Sequence, residues 1–391
     1  MMGLAIKPIE CPGGCLGCYE REIRESGAAP AFEIDKVLAT LKEQMALDCK
    51  KDWNVPILHG GEPLMLKLEY LDAIMQTIFE KYGRTSIQTS GAMISPEHIE
   101  LFKKYKTGVG VSIDGDTEKT NAGRWNAPGF FSGEMTARTL NAMAAMKDAG
   151  ILVSIICLLR RCNAGTSILQ ADLIRFAKRM QNEFGVISAR FNPVIAFDAR
   201  TAQEEQLDNE TLADCFRRLA NVAFAEDFDW RPMKDFSASL RGESAACSFC
   251  ECDPWATDSE MPILGDGSLS VCLKGGGGPD GVPTLRVEKS HARHEMLPQV
   301  RQEVGGCMGC FWWPYCSGGC PGAGIDGDWR NRTRFCKAYK ETFEYISGLP
   351  LFSAPGKKKT AGVGGHGDKE HGDSNDPAWR ARNPWWKGVT K

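Results

Sequence analysis

Six short apolar runs alternate with six amphipathic stretches over the first 225 residues, and this alternation restricts the fold more than any other feature of the chain. Residues 3–8, 55–59, 86–89, 108–113, 151–158 and 186–191 read as strands. Residues 33–47, 67–82, 95–105, 134–149, 168–184 and about 210–225 carry helical periodicity, with Ser95-Pro96-Glu97 a helix start. Strand–helix alternation predicts a parallel sheet. Six units suffice for a partial barrel and are too few to close one. In such folds function gathers at the C-terminal ends of the strands.

The first strand runs into Cys11-Pro12-Gly13-Gly14-Cys15-Leu16-Gly17-Cys18. Three thiolates within eight residues can converge on one metal centre, one short of the four that close a zinc site or a cubane. The spacing fits a 4Fe–4S cluster with one iron open to a non-protein ligand. An incomplete zinc knuckle with its fourth ligand elsewhere is the alternative. The chain carries 16 cysteines, and nothing at its start reads as an export signal, so a metal-binding role outranks disulfides. Cys49, Cys157, Cys162 and Cys215 are scattered and read as small buried hydrophobes, whereas nine cysteines crowd into residues 247–336.

The other strand ends are also unusual. His59-Gly60-Gly61-Glu62-Pro63 follows the second strand, Gln88-Thr89-Ser90-Gly91 the third and Ser112-Ile113-Asp114-Gly115 the fourth. Paired glycines let a ligand approach the backbone, and the glutamate is an acceptor suited to an ammonium group. With these motifs, residues 3–225 resemble the radical S-adenosylmethionine (radical SAM) enzymes. The resemblance implies that Cys11, Cys15 and Cys18 ligate a 4Fe–4S cluster whose open iron takes SAM. It implies further that Gly60, Gly61 and Glu62 meet the SAM amino group. Ser112 and His59 fall where relatives place polar SAM contacts, and Arg124 pairs with the SAM carboxylate. Relatives carry an aromatic residue just before the third cysteine. Here that residue is Gly17, and Tyr19 follows the cysteine as the candidate for adenine packing.

Residues 226–246 have no strong period and are expected as a linker. Beyond them come Cys247, Cys250 and Cys252, then Gly267 and Cys272, then Cys307-x2-Cys310-x5-Cys316-x3-Cys320, and finally Cys336. Cys307-x2-Cys310 alone is a good zinc half-site. The whole series over 247–350 resembles a SPASM domain, the cysteine-rich extension of many peptide-modifying radical SAM enzymes. That resemblance implies one auxiliary 4Fe–4S cluster on Cys307, Cys310, Cys316 and Cys336. A second would sit on Cys252, Cys272 and Cys320, either closed by Cys247 or Cys250, which is the preferred reading, or left with one iron open. The fold class expected is therefore α/β, a partial (β/α)6 TIM barrel over residues 1–225 followed by a small SPASM domain, with three 4Fe–4S clusters and SAM as cofactors. Phe311, Trp312, Trp313 and Tyr315 read as the core of that metal-stapled domain.

A net charge of −3 gives no reason to expect nucleic acid or an anionic membrane, and no apolar run spans a bilayer, so a cytoplasmic protein is expected. Residues 351–391 are glycine-rich and then tryptophan-rich, which reads as a disordered tail whose end is either a docking segment, for a partner or for the enzyme's own body, or a passive extension. The resemblance implies a peptide maturase that abstracts hydrogen from a ribosomally made precursor peptide, leading to a thioether or C–C crosslink or to backbone modification. Oxidation of a protein side chain or a small molecule is the alternative in the same architecture. A non-catalytic Fe–S or zinc protein leaves GGEP and SIDG unexplained. Sulfatase-maturing relatives carry Asp after the cysteine matching Cys272, where this chain has Leu273, which argues against formylglycine formation. Only ten residues precede Cys11, so leader recognition is expected from a separate protein, the SPASM face or the tail. An external electron donor such as flavodoxin or ferredoxin is implied. No general base can be named. Asp114, Arg160, Arg161 and Asn192 fall near strand ends, where catalytic or structural roles fit, and Asp114 is carried as the catalytic candidate.

Overall fold

The computed structural model describes residues 3–27, 30–47, 55–243, 245, 260–270 and 293–350. Cys49, Cys247, Cys250, Cys252, Cys272, Leu273 and the tail 351–391 lie outside the described residues.

Among the described residues, eight parallel strands form one open sheet in the order β7-β6-β5-β4-β3-β2-β1-β8. They are β1 (Gly3–Lys7), β2 (Ile57–Leu58), β3 (Thr85–Thr89), β4 (Thr107–Ser112), β5 (Val153–Leu159), β6 (Ser188–Pro193), β7 (Trp230–Arg231) and β8 (Glu260–Leu264). The first six occupy the six predicted runs, each followed by a helix, and the sheet does not close. Two strands were not expected. β7 lies in the segment read as a linker, where apolar periodicity is too short to register. β8 lies in the cysteine-rich half and pairs with β1 from Gly3↔Glu260 to Lys7↔Leu264.

Local sequence explains the regular elements. In β5, Val153, Ile155, Cys157 and Leu159 are buried on alternate positions, the period of a strand. The helix Ser167–Phe184 buries Leu173, Phe176, Ala177 and Met180, the spacing of one helical face. Thr166 caps its start by accepting from the Leu169 N–H, and Gly185 at φ 68° ends it.

The C-terminal region is attached to the β7 end of the sheet by helix packing. The helix Asn209–Ala225 buries Leu212, Phe216 and Leu219, and the helix Met233–Leu240 buries Phe236. Phe236 meets Phe343 of the helix Cys336–Ser347 edge-on at 4.6 Å between ring centres, and Phe216 lies 6.4 Å from Tyr339. Asn209 adds polar register, donating from Nδ2 to the Arg334 carbonyl and accepting from the Ala338 N–H, each at 3.1 Å. Cys336 is the first residue of that helix, so this packing sets its position relative to the sheet. No helix among the described residues is long and apolar enough to cross a membrane.

Candidate metal and cofactor site

The cysteine run leaves β1 and wraps beneath the loop that follows β4. Leu16 N–H donates to the Gly123 carbonyl (2.8 Å), Asn126 N–H to the Gly13 carbonyl (3.0 Å), and the Cys15 thiol to the Arg124 carbonyl (3.1 Å). Gly14, at φ 62°, lies so close to this loop that a Cβ there would stand 2.8 Å from Ala127 N. A Cβ on Gly13 would meet the sulfurs of Cys15 at 3.4 Å and Cys11 at 3.7 Å, so this glycine keeps the space between them open. Arg24 Nη1 donates to Cys18 Sγ at 3.6 Å. An open cleft of about 350 Å³ reaches Cys11 and is lined by Ile9, Glu10, Cys11, Pro12, Arg24 and Met65.

The three sulfurs form a donor set that needs cations. Burial, reinforced by the neighbouring Cys15 sulfur, pushes the Cys11 thiol up to about 12. Burial also raises Cys15, against the pull of Arg124. Thiolates are the metal-binding form, so bound iron would supply the positive charge that the pocket lacks and would release protons on loading. The residues present thus fit an iron–sulfur cluster with thiolate ligands.

The GGE loop is built onto the same segment. Gly61, at φ 54°, backs onto residues 8–10, where a Cβ would stand 2.4 Å from the Glu10 carbonyl. Glu62 N–H donates to that carbonyl at 2.7 Å, and Gly61 N–H to Glu20 Oε2 at 2.5 Å. Gly60 sits at φ 120° against the Lys7 and Glu20 side chains. Lys7 and Glu20 form an ion pair of 3.2 Å, both about 3% exposed. Sequence reasoning missed this pair, although a lysine inside the apolar run of β1 was a visible signal. The Glu62 carboxylate accepts from Thr89 Oγ1 (2.6 Å), Ser90 N–H (2.8 Å) and Leu64 N–H (3.3 Å). A carboxylate offers about four acceptor positions, so roughly one remains for a ligand.

The remaining candidates are placed as follows. His59 extends the β1–β2 pairing, its N–H donating to the Ile6 carbonyl at 2.9 Å. Ser112 closes β4, its hydroxyl accepting from Gln88 Nε2 at 2.9 Å. The Tyr19 ring lies 5.5 Å from Lys7 Nζ, a cation–π contact on the β1 side of the loop. Arg124 is 8% exposed; its Nη2 donates to Asp114 Oδ1 at 2.7 Å, while its Nε is buried without a protein partner. An orphaned guanidinium N–H beside the cysteine loop suits an anionic ligand group. Asp114 is fully buried and accepts from Arg124 Nη2, the Leu158 N–H (2.6 Å) and Arg160 Nε (2.7 Å). Its carboxylate is thereby engaged in holding two arginines. Arg160 extends this network to Glu205 Oε2 (2.9 Å) and to the Leu16 carbonyl (3.4 Å) inside the cysteine loop.

In the C-terminal region, Cys307, Cys310, Cys316 and Cys336 are electrostatic neighbours. Burial, then Cys336 and Cys310, push the Cys307 thiol up to about 12, and burial followed by Cys307 and Cys336 raises Cys316. Three successive residues with positive φ, Ser317, Gly318 and Gly319, turn the chain sharply between Cys316 and the buried Cys320. Among the described residues, no three Cys, His, Asp or Glu side chains are gathered tightly enough for a single metal ion. Trp312 stacks on Phe343 at 5.6 Å, in keeping with a core role, whereas Phe311 is 69% exposed.

Comparison with known proteins agrees with this geometry. The model of the radical SAM superfamily matches residues 9–163, which span the cysteine run, the GGE loop and the Asp114 network. The cysteine-type anaerobic sulfatase-maturating enzyme of Clostridium perfringens (strain 13 / Type A) is 21% identical over 374 residues, covering 88% of this chain and 96% of that protein. The enzyme of the same name from Clostridium novyi (strain NT) is 22% identical over 374 residues, covering 88% and 94%. Among solved structures, native anSMEcpe with bound AdoMet and Cp18Cys peptide matches with a TM-score of 0.68 at 19% identity, covering 88% of this chain and 96% of that one. Streptococcus suis SuiB bound to precursor peptide SuiA gives a TM-score of 0.51 at 14% identity over 70% of this chain and 60% of that one. Both structures share the fold. The radical SAM match over residues 9–163 implies a 4Fe–4S cluster and SAM, and the thiol set and glycine loop described above fit both. The chain thus carries a radical SAM domain over residues 9–163, followed by a cysteine-rich C-terminal region.

Proposed function

We propose that the protein is a radical SAM maturase acting on a ribosomally made peptide, in the cytoplasm, with three 4Fe–4S clusters. The observation that carries this reading is the joining of the three-cysteine loop to the GGE loop through Gly61 and Glu62 beside an open cleft. The clusters assigned are Cys11, Cys15 and Cys18; Cys307, Cys310, Cys316 and Cys336; and Cys252, Cys272 and Cys320 with Cys247 or Cys250. When bound, the N-terminal cluster and SAM supply a 5′-deoxyadenosyl radical that takes hydrogen from the substrate.

The chain's own residues orient and shield that chemistry. Gly60, Gly61 and the remaining acceptor position of Glu62 receive the SAM amino group, and the orphaned Nε of Arg124 faces its carboxylate. Asp114 fixes Arg124 and Arg160, and Arg160 fixes the Leu16 carbonyl, so the cysteine loop is preorganised. Peptide substrates are supported by the relatives: the Clostridium enzymes are named for maturing sulfatases, and SuiB was solved with a precursor peptide.

A second reading, oxidation of a protein side chain, is favoured by the nearly full-length match to the sulfatase-maturating enzymes. Leu273 speaks for the first reading, because the family resemblance implies Asp directly after the cysteine matching Cys272 in formylglycine-forming enzymes. The test is anaerobic turnover with SAM, a strong reductant and synthetic peptides. The first reading expects 5′-deoxyadenosine together with a peptide that has lost hydrogen and carries a new crosslink. A hydrazide-trappable aldehyde on a serine or cysteine would replace it with the second. Absence of SAM cleavage by the fully loaded protein would remove both.

A further inference from the structure

The cations around the C-terminal cysteines are arranged differently from those around the N-terminal set. Arg332 Nη1 donates to the carbonyls of Gln302 (2.5 Å) and Gly306 (2.6 Å), and its own N–H donates to the Gly305 carbonyl (2.9 Å). Lys340 Nζ donates to Gln302 Oε1 at 2.8 Å. Gln302 completes the arrangement by donating from Nε2 to the Met308 carbonyl at 3.0 Å, between Cys307 and Cys310. Arg293, 1% exposed, donates to the carbonyls of Gly318 (3.2 Å) and Asn331 (2.9 Å) beside the Cys316 turn.

Arg332 and Arg293 are tied to the cysteine-bearing loops through backbone carbonyls, and Lys340 through the Gln302 side-chain amide. Among the described residues, neither Arg332 nor Lys340 makes a salt bridge. Arg332 and Arg293 act on Cys307, and Lys340 and Arg332 on Cys336. At the N-terminal set the balance is mixed: Glu62 opposes Arg24 at Cys11, and Asp114 opposes Arg124 and Arg160 at Cys15.

Net charge and hydrogen bonding to the sulfurs are what a protein uses to set a cluster's reduction potential. A centre held by four thiolates gains one further negative charge on reduction, and cations beside it favour that state. Resting on the cluster assignment made above, we propose that Lys340 and Arg332 raise the reduction potential of the centre held by Cys307, Cys310, Cys316 and Cys336. Lys340 carries the test because it is half-buried on a helix and holds only one side-chain partner, whereas Arg332 also fastens the loop backbone.

The experiment is an EPR-monitored redox titration of the anaerobically reconstituted full chain, with iron content measured in parallel. Lys340→Gln should lower one couple by about tenfold in its reduction equilibrium, ~59 mV for one electron, with iron retained. Lys340→Glu should lower the same couple further, Lys340→Arg should restore it, and the couple lost in a Cys11→Ala/Cys15→Ala/Cys18→Ala variant should not move. Fully iron-loaded Lys340→Gln and Lys340→Glu proteins with unmoved couples would overturn the inference alone. Unchanged iron content in Cys307→Ala/Cys310→Ala would overturn the cluster assignment and the inference with it.

Discussion

Arg160 Nε donates to Asp114 Oδ2 at 2.7 Å, and both side chains are fully buried. Through this pair the ends of β4 and β5 are coupled to the Leu16 carbonyl between the second and third cysteines of the N-terminal run. The cysteine loop is therefore positioned by charges 98 and 144 residues beyond Leu16, at Asp114 and Arg160.

Removing one partner of a buried ion pair strands the other, at a cost of roughly 3–5 kcal/mol. Asp114→Asn leaves two arginines facing a neutral amide and is expected to lower unfolding free energy by about that amount in urea titrations. A variant of unchanged stability that loads iron and cleaves SAM but fails to alter substrate would instead restore Asp114 as a base.

Gly61→Ala places a methyl group 2.4 Å from the Glu10 carbonyl at a backbone with φ 54°. The GGE loop must then move off the cysteine segment, and SAM affinity is expected to fall by roughly tenfold or more, ~1.4 kcal/mol by isothermal titration. Gly83 is the control. It has φ 67° and open space around it, so Gly83→Ala costs only the left-handed backbone penalty of about 1–2 kcal/mol in stability, with SAM binding retained.

Asp208 caps the helix Asn209–Ala225, accepting from the Thr211 N–H and hydroxyl, each at 2.8 Å. The backbone hydrogen bond from Thr211 holds its carboxyl below the usual range despite partial burial. A lowered folded-state value means the stabilisation is full above the ordinary aspartate value near 3.8 and is lost as pH falls through the folded value. Asp208→Ala is expected to cost about 1 kcal/mol at neutral pH. Thermal melts of the two proteins should converge in acid; a gap that persists there would contradict the capping role.

The barrel half was legible because every strand from β1 to β6 is a compact apolar run next to a helix of clear period. Boundaries agreed to within a residue or two for most elements, with Thr166 and Gly185 showing why. β7 and β8 were not legible: two residues at Trp230–Arg231 carry no period, and Glu260–Leu264 becomes a strand only because β1 offers a free edge. The cysteine spacings and GGE motif marked the site directly, since few side chains perform that chemistry. The Lys7–Glu20 pair and the Glu205 contact of Arg160 were not marked, because a buried ion pair depends on partners that only folding brings together.

Iron and acid-labile sulfide analysis of the anaerobically reconstituted full chain counts its clusters. It is compared with Cys11→Ala/Cys15→Ala/Cys18→Ala and Cys307→Ala/Cys310→Ala variants. Three cubanes require about twelve irons per chain, falling by about four in each variant. Zinc in place of iron in the C-terminal half, or about four irons in total, would contradict the account and leave a one-cluster enzyme.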